Sequence, residues 1–201
     1  MNVYAKVLSV SALIVVTTNA LSGEMSVPNF DLLHFPQERK DYCGAAIAQS
    51  WICHLSPGNC PGQSTFASLF GGLSSYDMEK VLERYTGRSF DVQGHSGDRS
   101  ARERIYTELK SVRPLAIAGA TVKPNGDIRP GGHWRIIWSA DIAGGGSAYK
   151  LNWAQVIDPL YKSAWASEYV TYSPYKTMSS KELFDRHWKV FPNGTRQSVE
   201  D

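Results

Sequence analysis

Residues 37–51 read QERKDYCGAAIAQSW, a polar lead-in, a single cysteine, and then a run of small and apolar residues. From Cys43 onward Ala45, Ala48, Ile52 and Leu55 recur on one helical face, and Pro57 stops the pattern. Cys43 therefore opens a helix. At that position its sulfur faces unsatisfied N–H groups and the positive end of the helix dipole, which favours thiolate over thiol. A small buried hydrophobe is the competing reading of the same cysteine.

The rest of the chain decides between them. A length of 201 residues with 42% hydrophobic and 11% aromatic content supports one globular domain. The net charge of +2 comes from scattered residues of both signs, so nucleic acid is not expected as a partner. Lys6 precedes an apolar run from Val7 to Val16 and the small-residue site Thr18, Asn19, Ala20. That is the layout of a cleaved secretory signal over residues 1–20, too short to span a bilayer; a retained anchor is the alternative. Export is expected, with no stable membrane anchor after cleavage and residues 21–201 as one domain.

An oxidising compartment pairs the cysteines it can, and three is an odd number. Cys53 and Cys60 flank CHLSPGNC, whose Pro57 and Gly58 can turn the chain back, so this pair is expected as the disulfide. Pairing of Cys43 with Cys60 is the rival.

Further helices are expected at Ser64 to Phe70, from Ser74 to Gly87, behind a Ser100/Glu103 capping box, and over KELFDRH behind Ser179/Glu182. Beyond Pro114 the period changes. LAIAGATV, HWRIIWSADI, YKLNWAQVID, EYVTY and WKVF are short, rich in β-branched and aromatic residues, and separated by turn residues. Helices first and antiparallel strands second is an α+β layout, with a cleft where the halves meet.

A thiolate needs a base, and five histidines compete. His54 lies about 16 Å along the helix from Cys43, out of reach. His187 ends a helix, where an imidazolium would suit the dipole. His34 and His95 fall in expected loops. His133, in GGHWRIIW, begins a strand after two glycines. A symmetric turn between Gly145 and Gly146 sets Asp158 directly opposite His133, about 5 Å away, where a carboxylate holds an imidazole. The same register puts Asn152 opposite Ser139, and a bulge would turn Asp158 away. Gln37, six residues before Cys43, carries an amide that could join the Cys43 N–H in stabilising an oxyanion. No cluster has metal-ligand spacing and no cofactor motif is present; NGT at Asn193 has only the form of a glycosylation acceptor.

This order, Gln, a six-residue step to Cys at a helix start, a strand-borne His, then Asp before Pro, resembles the papain-like cysteine peptidases. The compact bacterial avirulence-effector peptidases and stand-alone relatives of bacteriocin leader peptidases are the most similar type, and RERIYTELKSVRPLAIAG resembles their helix and strand ahead of the histidine. The resemblance covers about Gln37 to Tyr172. It implies a papain-like α+β fold, Cys43 as nucleophile, His133 as base and acid, Asp158 as orienting residue and Gln37 as oxyanion donor. Gly44, Gly132 and Trp134 are expected at the substrate cleft, although strand aromatics such as Trp134, Trp138, Trp153, Trp165 and Trp188 read first as core. Gly44 stands where many relatives carry Trp, and the sixteen or so residues between signal and Gln37 leave no room for an inhibitory pro-segment. The expected partners are a peptide or protein substrate and an inhibitor or immunity protein. Two other readings keep the fold: an amidase or acyltransferase on cell-wall amides, and an idle binding domain.

Overall fold

A computed structural model describes residues 23–30, 33–70, 75–123, 125–128, 131–145, 148–164 and 175–201. The expected signal at 1–20, the EYVTY strand and Trp165 lie outside these residues. The fold is α+β. Among the described residues, seven strands, β1 (Gly23–Ser26), β2 (Asp91–His95), β3 (Leu115–Gly119), β4 (His133–Gly145), β5 (Ala148–Ile157), β6 (Tyr175–Ser179) and β7 (Arg196–Glu200), form one antiparallel sheet. Its order is β2-β7-β3-β4-β5-β6, and β1 pairs with the far half of β4. The helices are α1 (Cys43–Leu55), α2 (Gln63–Phe70), α3 (Ser75–Thr86), α4 (Asp98–Lys110) and the short α5 (Ser180–Glu182), which runs into a π-helical turn, Leu183–His187.

Helix α1 begins at Cys43 as its pattern predicts, but apolar residues on one face understate its burial. Every residue from Gly44 to Cys53 is buried, including Gln49 and Ser50. Small side chains make that position tolerable, since Ala45, Ala46 and Ala48 let α2, α3 and β4 pack closely around the axis. Trp51 fills the remaining volume, edge-on to Phe90 at 5.3 Å between ring centres. Cys53, near the end of α1, forms a disulfide with Cys60 in the loop that follows, which excludes the rival pairing with Cys43. No helix among the described residues is long and apolar enough to cross a membrane.

Several boundaries differ from expectation for local reasons. Helix α4 starts at Asp98, ahead of the Ser100/Glu103 box; Ser100 sits inside the first turn and bonds back to the Gly97 carbonyl. The Ser179 cap is as expected, its hydroxyl accepting the Glu182 N–H at 3.2 Å. WKVF supplies only a bridge, Ala120 to Lys189, and the strand there is β7 instead.

Strand β3 runs so close to the chain after the π-helical turn that Gly119 has no room for a side chain. A Cβ there would stand 2.8 Å from both the Lys189 carbonyl oxygen and the Trp188 ring. Gly119→Ala is therefore expected to cost about 2 kcal/mol by overpacking, read as a lower urea midpoint with an unchanged slope. Wild-type stability in that variant would show that the contact can relax at no cost.

Candidate active site

The hairpin joining β4 to β5 closes with Gly145 opposite Ala148, one residue later than a turn centred on Gly145 and Gly146. Two register shifts, one between Ile137 and Ser139 and one between Asp141 and Ile142, offset each other, and the ladder ends with Ile136 opposite Ile157. Asp158 consequently comes level with Arg135, not His133. A displacement of two residues keeps a side chain on the same face of the sheet, so His133 becomes its diagonal neighbour. Asn152 does not oppose Ser139, whose partner is Gln155; it bonds to the Asp141 carboxylate across an irregular step.

His133 Nε2 lies 2.7 Å from Asp158 Oδ1, and both side chains are buried. Arg135 Nε donates to Asp158 Oδ2 at 2.8 Å, and the Leu160 N–H donates to Oδ1 at 2.9 Å. Burial alone would raise the Asp158 pKa, but the Arg135 and His133 charges outweigh it and hold the carboxyl well below its ordinary value. An ionised carboxylate only accepts, so His133 Nε2 donates to it and Nδ1 is the ring nitrogen not used by Asp158. Gly132 makes room for this arrangement: at φ +68° a Cβ would strike the Phe191 ring at 2.6 Å.

The loop before α1 is stitched to the same place. The Gln37 N–H donates to the Pro159 carbonyl at 2.8 Å, and His34 Nε2 is 3.1 Å from the Asp158 carbonyl. Five residues of chain then separate this anchor from Cys43, which is the first residue of α1, partly buried and packed against the core. The Gln37 amide is buried and donates to the Arg39 and Lys40 carbonyls at 2.8 and 2.9 Å, leaving its Oε1 unpaired. In this conformation both of its hydrogens order the loop and neither is directed to a substrate.

Sequence reasoning missed Gln63. At the start of α2 and buried, it accepts the Glu38 N–H at 2.9 Å and donates to the Pro36 carbonyl at 2.8 Å, bracketing Gln37; Gln49 of α1 lies 3.2 Å away. A glutamine at a helix start carries no sequence signal for such a long-range clamp. Trp134, expected at the cleft, lies in the hydrophobic core, since strand alternation turns it away from His133 and Arg135. Gly44 is buried in α1. The other histidines have structural surroundings. His54 packs on Phe30. His95 is a buried strand residue, not a loop one, bonded to Ser198 and pushed down to about 4 by burial and the Arg104 and Arg196 charges. His187 is pushed down to about 2 by burial and the nearby Arg135, so it stays neutral and does not offset the helix dipole as a cation.

No family model matches this chain. No curated protein is similar to it in sequence. Solved structures are similar in shape. A chain described as a C39-like peptidase from Bacillus anthracis superimposes with a TM-score of 0.54 at 11% identity, over 89% of this chain and 98% of that one. The fold is that of papain-like cysteine peptidases. UfSP from C. elegans, also papain-like, matches with a TM-score of 0.53 at 14% identity, over 92% of this chain but 35% of its own length.

Two outcomes are expected. Gln63→Leu strands the Glu38 N–H and the Pro36 carbonyl, at about 1–3 kcal/mol for each group left unsatisfied, measurable by denaturation. Asp158 has a depressed folded pKa, so its contribution to stability is full above the unfolded carboxyl value of about 3.9 and is lost as pH falls from there through the folded value. Asp158→Asn should thus be less stable than wild type at pH 7, by about 3 kcal/mol. That gap should narrow below pH 4; a gap independent of pH would mean that the charge of Asp158 does not stabilise the fold.

Proposed function

We propose that this protein is an exported cysteine peptidase in which Cys43, His133 and Asp158 act as a triad. The observation that carries the reading is the buried 2.7 Å contact between His133 and Asp158 on a papain-like fold whose central helix begins at Cys43. His133 Nδ1 takes the Cys43 proton, and the thiolate attacks the substrate carbonyl carbon. The resulting oxyanion is met by the Cys43 backbone N–H and by Gln37, which must first release its amide from the Arg39 or Lys40 carbonyl. The imidazolium returns its proton to the leaving amine. Water, deprotonated by the same nitrogen, then cleaves the thioester to a carboxylic acid.

Export is supported by the apolar run after Lys6 and by the Cys53–Cys60 disulfide, a bond at home in an oxidising compartment. A peptide or protein is the substrate class, and an inhibitor or immunity protein in the producer is part of the proposal. Broad proteolysis by the purified protein with no such partner needed by its producer would argue against that last element.

Iodoacetamide labelling of the unreduced protein across pH, with peptide mapping, tests the nucleophile. Cys43 should react rapidly well below the ordinary thiol pKa of about 8.5, and Cys43→Ala should abolish peptide hydrolysis. Hydrolysis that survives Cys43→Ala, or labelling only at an ordinary thiol's pH, overturns the reading. Asp158→Asn should lower kcat/KM by at least about a hundredfold through loss of the imidazole's orientation.

A further inference from the structure

Arg135 stands two residues beyond His133 on the same strand face, and its side chain is 2% exposed. A buried guanidinium is costly unless its donors are used, and these are used in three directions. Nε goes to Asp158 Oδ2 at 2.8 Å, while Nη1 goes to the Thr121 hydroxyl at 3.1 Å and the His187 carbonyl at 2.7 Å. The His187 carbonyl is one of those a helix end leaves unsatisfied, here at the end of the π-helical turn. The arginine is therefore held from the chain just past β3 and from the π-helical turn, and the arginine in turn holds Asp158.

We propose that Arg135 is a positioning residue of the site: it fixes the rotation of the Asp158 carboxylate so that Oδ1 meets His133, and its charge sets how strongly His133 holds a proton. The inference rests on the triad reading above. With Oδ2 taken by Arg135 and Oδ1 by His133 and the Leu160 N–H, the carboxylate has little freedom to turn. A lysine could supply the charge but not three fixed bonds, because only the planar guanidinium presents donors in that geometry. Among the described residues, the titratable and charged groups facing the pair are His133 and Arg135 on β4, His34 from the loop before α1, itself near Lys162, and His187 from the π-helical turn, itself near Lys176, Arg186 and Glu182. Arg135 is the cation bonded directly to the carboxylate.

The test is the pH profile of Cys43 alkylation by iodoacetamide in the unreduced, folded protein. Removing the cation disfavours the thiolate and favours the imidazolium, so in Arg135→Gln the midpoint of low-pH labelling should rise by about one unit. Arg135→Lys should restore the wild-type midpoint, yet its labelling rate at neutral pH should stay about tenfold or more below wild type, since the imidazole is less well held. A structural crosslink alone would change the melting temperature and leave the midpoint where it was. An unmoved midpoint in folded Arg135→Gln overturns the proposal. Should that variant not fold, Arg135→Lys decides: a full wild-type rate or a displaced midpoint overturns it. Failure of the wild-type protein to label at low pH would instead overturn the triad reading itself, which separates the two.

Discussion

The Asp158 carboxylate is removed from water and still has to remain charged, and much of the architecture around it answers that requirement. Its two oxygens are divided between His133 and Arg135, with the Leu160 N–H sharing one of them. The backbone of the same aspartate and of the proline after it accepts from His34 and Gln37, which ties the loop leading into α1 to the end of β5. One acidic residue thus joins three parts of the chain distant in sequence. Replacing it by an apolar residue would leave a buried guanidinium without its counter-charge, a more damaging change than losing one hydrogen bond.

Side-chain amides hold the other half of the site. Gln63 brackets the residues on either side of Gln37, Gln49 meets Gln63 from α1, and Gln37 ties its own loop through the Arg39 and Lys40 carbonyls. Neutral amides suit this position. Each offers both donors and an acceptor without adding charge beside a cysteine whose ionisation would respond to it. The unpaired Gln37 Oε1 is a local cost of that arrangement.

Much of this was legible in the sequence because the relevant signals were local. The helix start at Cys43, the strand start at His133 and the Pro/Gly turn between Cys53 and Cys60 each depend on residues within a few positions. The pairing of His133 with Asp158 was readable in its outcome but not in its register. A hairpin displaced by two residues returns the same face, whereas a displacement of one would have hidden the aspartate. What could not be read was long-range. Arg135 in a strand looks like an ordinary outward-facing charge until Asp158, Thr121 and His187 are seen around it, and Gln63 gives no hint of a partner 27 residues earlier. The short strands β1, β2, β6 and β7 were missed because their apolar alternation is weak; β1, β6 and β7 are held by the stronger β4, β5 and β3, and β2 in turn by β7.

The position of β7 bears on how such a chain reaches its folded state. Residues 196–200 occupy an interior lane of the sheet, flanked by β2 on one side and β3 on the other. Until they are in place, β2 lacks its partner and β3 has an open edge, so that side of the sheet is incomplete, although β3 and β4 can already pair beside His133. The bond between His95 and Ser198 spans 103 positions, so this pairing closes a far longer loop than the β4–β5 hairpin does. Long-range strand pairing is slow relative to hairpin closure, so the β2–β7 side of the sheet is the late-forming one.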